Sequence, residues 1–225
     1  MSTTANTETT ANIELLEELA RHTYSAAVAD ACDHLDLRVQ TLPSRIRRLT
    51  GEGTMAGWAR TFTTVAVTET PERHYGGEID FVDSLRPGDL PVGRVDADAA
   101  GWGELFSAGA TGRGARGLVI DGLVRDVSQM DKLGFSVHGT GTRPTDALGR
   151  VALGSPDVPV QIGDVTVRSG DLIVADSDGI TVVPADVAED VARRAIEKSR
   201  TESDAKQLLL AGGTMAQMWE RYRVM

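Results

Sequence analysis

Glu104, Arg125 and Asp126 are the residues of this chain whose types and spacing are best suited to chemistry. Glu104 closes the word Gly101-Trp-Gly-Glu104, and Arg125-Asp126 follow the run Leu118-Val-Ile-Asp-Gly-Leu-Val124, with residues 105–124 between. Two carboxylates are hard oxygen donors. They suit a divalent cation whose other positions are filled by water. An arginine beside them presents a planar fork that grips a carboxylate through two parallel hydrogen bonds. Together they describe a site for a small oxo acid whose developing negative charge an ion can stabilise.

Each residue also has a simpler use. Asp126-Val-Ser-Gln129 fits a capping box, in which Asp126 would accept from the N–H groups of its own helix. Arg125 could be a solvated or ion-paired surface residue, although the end of an apolar strand is where α/β sites form. Glu104 could be a first-turn acid favoured by the helix dipole. The glycine before it, Gly103, lets backbone approach a ligand closely. The N–H groups of Glu104, Leu105 and Phe106 would then form an anion site at a helix N-terminus.

Other candidates carry less. His22, His34, His74 and His138 are isolated and read as structural or surface residues. His138 follows a strand within a Gly/Thr-rich segment, so it could line a pocket. Asp176-Ser-Asp-Gly179 lacks the length and the terminal glutamate of a calcium loop and reads as a β-turn. The glycines of Gly109-Ala-Thr-Gly-Arg-Gly114 have neither the preceding strand nor the spacing of a dinucleotide site.

Composition narrows the function classes. The chain has 225 residues, 41% of them hydrophobic, which supports one sizeable core. A net charge of −10 argues against binding a phosphate backbone. The basic patch Arg45-Ile-Arg-Arg48 is short and reads as a solvated loop. The single cysteine, Cys32, excludes an internal disulfide and a thiolate zinc cluster. It reads as a small core residue. The first residues have neither a basic nor an apolar region, so they read as no secretory signal. No run reaches membrane-spanning length. The expectation is a soluble cytoplasmic protein with no nucleic-acid or membrane partner. Residues 1–11 form a disordered tail and residues 12–225 a single domain.

These side chains need elements to hold them. Apolar spacing predicts an amphipathic helix over residues 12–35, then a loop through Pro43 and the basic patch. Met55–Val67 reads as a strand and residues 77–84 as a short helix. Pro87-Gly-Asp-Leu90, Ile162-Gly-Asp-Val165 and Ser169-Gly-Asp-Leu172 each read as a turn that launches a strand. Residues 103–114 read as a helix, Leu118–Ile120 as a buried strand, Asp126 as the start of a helical turn, and Phe135–Val137 as a strand. Val158–Val183 reads as a β-meander. A long helix over residues 186–210 and a last one over 214–223 close the chain. The pattern is mixed α/β, partly parallel, with a helix at each end.

At the quoted residues the chain resembles the class II pyruvate aldolases that cleave 4-hydroxy-4-methyl-2-oxoglutarate and 4-carboxy-4-hydroxy-2-oxoadipate. That family also contains the regulators of ribonuclease E activity. Its signature is an acidic residue, twenty residues, then Arg-Asp, which Glu104 and Arg125-Asp126 fit. Gly117-Leu-Val-Ile-Asp-Gly-Leu-Val-Arg-Asp126 and Gly170-Asp-Leu-Ile-Val-Ala-Asp-Ser-Asp-Gly-Ile-Thr-Val-Val-Pro184 also read like the family, and the resemblance covers roughly residues 12–212.

The resemblance implies an αββα sandwich around a swivelling, barrel-like β/β/α core. It implies Mg²⁺ or Mn²⁺ at Asp126, pyruvate carboxylate at Arg125, and substrate contacts from Gly103, Glu104, Leu105 and Phe106. It also implies that Glu202, on the C-terminal helix, serves the site of a neighbouring subunit, so that the protein is a trimer or hexamer. Arg125, Glu104 and Glu202 would be the catalytic side chains. The implied reaction is retro-aldol cleavage of a 4-hydroxy-2-oxo acid to pyruvate, accompanied by oxaloacetate decarboxylation. The alternatives are a non-enzymatic regulator of ribonuclease E and the same enolate chemistry on another pathway's substrate. Such regulators can lack the aspartate after the arginine, which this chain has.

Overall fold

Parallel strands buried on both faces read as unbroken apolar runs, and Leu118-Val-Ile-Asp121 is such a run, fully buried along its length. It lies near the middle of a large sheet in the computed structural model, which describes the backbone of residues 2–225 and the side chains of residues 12–225. The tail expected over residues 1–11 thus falls outside the fully described residues.

In chain order the elements are α1 (Ser2–His22), α2 (Ser25–Asp33), β1 (Arg47–Thr50), β2 (Met55–Ala66), α3 (Gly76–Asp83), β3 (Asp89–Arg94), α4 (Glu104–Gly112), β4 (Leu118–Asp121), β5 (Leu123–Val124), α5 (Val127–Lys132), β6 (Val137–Gly139), β7 (Gly141–Thr142), β8 (Val151–Pro156), β9 (Val160–Ile162), β10 (Val165–Val167), β11 (Leu172–Ala175), β12 (Ile180–Val183), α6 (Ala188–Leu210) and α7 (Met215–Tyr222).

The main sheet has the order β1-β6-β4-β3-β2-β11-β12, and β8 also pairs with β2. The pairs β2–β3, β3–β4 and β4–β6 are parallel. Parallel neighbours need a crossover, and α3, α4 and α5 supply the three in turn. The antiparallel partners β1, β8, β11 and β12 flank this centre. The sheet curls into a half-barrel, with helices at both ends of the chain.

Side-chain alternation sorts the core into layers. In β4, Leu118 and Ile120 pack with Phe81, Val82, Trp102 and Met130 under the crossover helices. Val119, between them, faces the opposite side with Val92, Val160 and Ile162. In β11, Leu172 and Val174 meet Leu16, Leu19, Val28 and Val191 from α1, α2 and α6, whereas Ile173 turns to the other cluster. Full burial of each such side chain stabilises the fold by about 1.5–3 kcal/mol.

Four expectations need correction. The predicted helix over residues 12–35 is two helices. Tyr24 is extended at φ −151°, and Asp176 accepts from the Ser25 N–H at 2.6 Å and its hydroxyl at 2.7 Å, which restarts the chain as α2. The basic patch is half strand, and its arginines are engaged: Arg45 forks onto the buried Asp121 at 3.0 and 2.6 Å, and Arg47 donates to the Ser44 carbonyl at 3.1 Å. The strand near Phe135 begins two residues later, at Val137, because Phe135 is still bonded to the Met130 carbonyl behind α5. The β-meander is two separate hairpins: β9–β10 is its own small sheet, and only β11–β12 joins the main one. The β9–β10 hairpin covers the sheet face with Val160, Ile162, Val165 and Val167.

Candidate active site

Two backbone hydrogen bonds bring the distant halves of the motif together. Gly101 N–H donates to the Leu123 carbonyl at 2.9 Å, and Arg125 N–H to the Trp102 carbonyl at 2.9 Å. The segment entering α4 therefore lies beside the segment leaving β5, and Glu104 meets Arg125 and Asp126. Gly103 sits at this crossing. A Cβ there would stand 2.7 Å from Asp126 Oδ2 and 3.1 Å from Arg125 Cγ, so any larger residue would push the Asp126 carboxylate from its place.

Asp126 does not cap its own helix. Its backbone is left-handed, φ 60° and ψ 32°, and its side chain makes no capping bond. This corrects the capping-box expectation, and the backbone twist is the cause. The carboxylate turns instead toward α4, where the Glu104 N–H donates to Oδ2 at 3.2 Å. Arg125 Nε lies 3.7 Å from the same oxygen.

Sequence reasoning missed the other partner of Arg125. Its Nη1 reaches Asp146 Oδ1 at 3.3 Å, and the Tyr75 hydroxyl donates to the other Asp146 oxygen. Burial pushes the Asp146 carboxyl up, but the Tyr75 hydroxyl, the Arg125 charge and the N–H groups of Leu148 and Ala147 together hold it below the usual carboxylate value. Burial, then the bond to Asp146 and its charge, push the Tyr75 phenol up. Tyr75 is itself left-handed, at φ 54°. Left-handed non-glycine residues are uncommon and cluster where function holds them. Asp146 is fixed because Thr145 accepts from the Ala100 N–H at 2.8 Å. Nothing in the spacing of Tyr75 and Asp146 announced them; only the parallel bridge between Ala100 and Asp146 brings that loop in.

These groups line a cleft of about 660 Å³ that also includes Gly103, Leu105 and Phe106. The volume lies in the range of small-molecule sites, about 300–1,000 Å³. Trp102 and Phe106, with ring centroids 5.5 Å apart, form one wall. Trp102 Nε1 donates to the Ser107 hydroxyl at 2.9 Å, and that hydroxyl donates to the Gly103 carbonyl at 3.0 Å, which fixes the first turn of α4. Leu105 projects outward, 83% exposed.

Two other expected residues lie elsewhere. Glu202 is on α6, held by Lys198 Nζ at 2.6 Å and by the Tyr24 hydroxyl, and does not line the cleft of its own chain. His138 is fully buried, 3.0 Å by its Nε2 from the Asp176 carbonyl, so the suggestion that it lines a pocket is corrected: its ring points into the sheet core. Cys32 is buried, as expected of a core residue, and burial pushes its thiol up to about 11.

The donor set has the chemistry of a hard-cation site. Glu104, Asp126 and Asp146 offer only oxygens, and among the described residues no thiol or imidazole lines the cleft. Among the described residues no three His, Cys, Asp or Glu side chains converge on one point. An ion here would keep most of its water, as Mg²⁺ does when one or two carboxylates bind it.

Residues 25–182 match the family model described as RraA-like, Aldolase/RraA. A Halalkalibacterium halodurans protein provisionally named 4-hydroxy-4-methyl-2-oxoglutarate aldolase is 29% identical over 197 residues, 85% of this chain and 87% of that one. An uncharacterized protein of Pseudomonas syringae superposes with a TM-score of 0.80 at 26% identity, covering 91% of this chain and 96% of its own. Streptomyces coelicolor RraAS2, described as an unusual member of the RNase ES inhibitor RraA family, gives 0.73 at 27% identity, covering 86% and 97%.

Proposed function

Since the chain belongs to the RraA-like family, Aldolase/RraA, we propose that it cleaves a 4-hydroxy-2-oxo acid to pyruvate through an enolate. The observation that carries this reading is Asp126: its carboxylate is turned out of its own helix and lies open in the cleft beside Arg125. Aldolase names among the relatives agree with it.

Arg125 holds the C1 carboxylate through the donors that Asp146 leaves free. The N–H groups of Leu105 and Phe106, in the first turn of α4, add positive potential at the same end. Asp126, with Glu104 acting through water, would hold the divalent ion. Mg²⁺ or Mn²⁺ bound there would supply Lewis acidity to the keto-acid end of the substrate. A water held by Glu104, or by Glu202 of a neighbouring copy, takes the proton of the C4 hydroxyl. C4 becomes a carbonyl as the C3–C4 bond breaks, and that electron pair passes into the pyruvate enolate. The Arg125 charge lies where the enolate develops, and removing one such donor lowers kcat by about 10²–10³. A proton returned to C3 gives pyruvate. Among the described residues no lysine lines the cleft to form a Schiff base.

A second reading has one observation in its favour, the likeness to RraAS2: a regulator that binds a ribonuclease without catalysis. Pyruvate release from oxaloacetate, with Mg²⁺ and with EDTA, for the parent and Asp126→Ala, decides between them. Metal-dependent turnover lost in the variant is the expected result. Absence of turnover under every condition would sink the lyase reading and favour the regulator.

A further inference from the structure

We infer that Asp146, set by Tyr75, is a positioning residue that draws the Arg125 guanidinium away from Asp126, leaving the Asp126 carboxylate to a divalent ion and the guanidinium to a substrate carboxylate. The inference rests on the proposal above, that Asp126 holds the ion and Arg125 the substrate. It adds two residues from outside the Glu104 and Arg125-Asp126 pattern.

Arg125 stands between two anions. Its Nη1 lies 3.3 Å from Asp146 Oδ1, and its Nε lies 3.7 Å from Asp126 Oδ2. The nearer charge attracts more strongly, so the guanidinium leans to Asp146. Neither contact is as close as the fork that Arg45 makes on Asp121, at 3.0 and 2.6 Å. Arg125 is thus placed by charge and still has donors for a ligand. Asp126 Oδ2 accepts from the Glu104 N–H at 3.2 Å. Take away the Asp146 charge, and Asp126 is the carboxylate left beside Arg125. The fork would then close on it, and the oxygens that the ion needs would be taken by the guanidinium.

Asp146 can do this because it is held on several sides. The Tyr75 hydroxyl donates to its Oδ2, and the Leu148 N–H reaches its Oδ1 at 3.5 Å. Arg150 Nη1 steadies the loop by donating to the Asp146 carbonyl at 3.0 Å and to the Leu148 carbonyl at 3.4 Å. Tyr75 is anchored in turn. Its carbonyl accepts from the Ile79 N–H at 2.8 Å, and its ring meets Phe106 edge-on at 6.2 Å. A left-handed tyrosine is a costly conformation, and here it is kept at a side chain that lines the cleft. Phenylalanine would fill the same space; the hydroxyl serves Asp146.

The test reads metal binding apart from turnover. Mn²⁺ is titrated into the full-length protein, and the free ion is followed by electron paramagnetic resonance. The proteins are the parent, Asp146→Asn, Tyr75→Phe, Arg125→Ala and the double variant Asp146→Asn/Arg125→Ala. Asp146→Asn should weaken Mn²⁺ binding about tenfold or more, the range for residues that orient a metal ligand. Tyr75→Phe should weaken it in the same direction by less. With Arg125 already replaced by alanine, Asp146→Asn should change little, because no guanidinium is left to close on Asp126. A misfolded Asp146 variant would lose the ion in both backgrounds, so the pair separates positioning from damage to the fold. Excess Mg²⁺ should also restore pyruvate release from oxaloacetate in Asp146→Asn, because the ion then displaces the guanidinium from Asp126. Unchanged Mn²⁺ affinity in Asp146→Asn, or an equal loss with and without Arg125, overturns the inference and leaves the enolate reading intact. No Mn²⁺ binding by the parent removes Asp126 as the metal residue, and this inference with it. Mn²⁺ binding that follows the expected pattern, with no pyruvate formed by any protein, upholds the positioning role and removes the lyase reading alone.

Discussion

At the residue scale the site depends on an atom that is missing. Gly103 has no Cβ, and the space that Cβ would fill belongs to Asp126 Oδ2 and Arg125 Cγ. Gly103→Ala should lower kcat/KM for pyruvate release about 10²-fold, the order expected when reacting groups are misplaced by about 1 Å, with little change in the unfolding midpoint. An unchanged rate would mean that Asp126 and Arg125 are not held by this contact. The motif itself was legible in the chain through its resemblance to a family pattern: an acid, a spacer and Arg-Asp is weak alone, and the flanking words around Glu104 and from Gly117 to Asp126 made it recognisable. Tyr75 and Asp146 were not, because each arrives on a separate loop and only the tertiary fold sets them against Arg125. The left-handed turn at Asp126 was equally invisible: the sequence showed a good cap, but the backbone points that cap elsewhere.

Among the elements, the strongly patterned ones were readable and the cross-supported ones were not. β2, with its β-branched and aromatic residues, β4, an unbroken apolar run, and α6, set between Pro184 and Gly212, carry local signals, and their predicted and observed bounds, like those of α3 and α4, nearly coincide. β8, to which the sequence pattern assigned no element, contains Gly154 and ends at Pro156; it is tolerated because it pairs only with β2, and an edge position accepts proline. The break between α1 and α2 depends on Asp176, which comes from the turn between β11 and β12 and is distant in sequence. Its side chain is buried, and although burial pushes its carboxyl up, the Ser25 N–H and hydroxyl and the N–H groups of Asp178 and Gly179 outweigh this and hold it down. Asp176→Ala should cost about 2–3 kcal/mol in urea unfolding, as loss of hydrogen bonds to a buried charge does. The sign of the pH dependence follows. A carboxylate with a depressed folded pKa stabilises the fold above its unfolded value, about 3.9, and that stability is lost as pH falls through the folded value. The parent's advantage over the variant should therefore be full at neutral pH and shrink in acid. An advantage independent of pH would assign the effect to packing.

For the whole molecule, assembly turns on Glu202. It is held by Lys198 and Tyr24 on α6 and lies apart from its own cleft, so any catalytic role requires a second copy. If it has that role, Arg125→Ala and Glu202→Gln, each inactive alone, should recover pyruvate release when co-expressed, because a mixed assembly rebuilds intact sites. Failure to recover, with both variants assembled as in the parent by analytical ultracentrifugation, would limit Glu202 to bracing α6 against α2. None of the described helices is long and apolar enough to cross a membrane.

The twelve-residue strand β2 has a further consequence. Along its length it is hydrogen-bonded to β11 through Met55–Trp58, to β3 through Trp58–Phe62, and to β8 through Phe62–Ala66. One strand thus stitches three otherwise separate patches of sheet, each joined to the others through its ladder with β2. The paired amides near Ala59 and Thr61, fully enclosed, should exchange with deuterium only when the entire chain opens, at a rate that tracks global stability in denaturant. The cleft takes its lining from α3, α4 and the segments that carry Arg125 and Asp146, and not from β2, so a ligand can enter it while the fabric of the sheet stays closed.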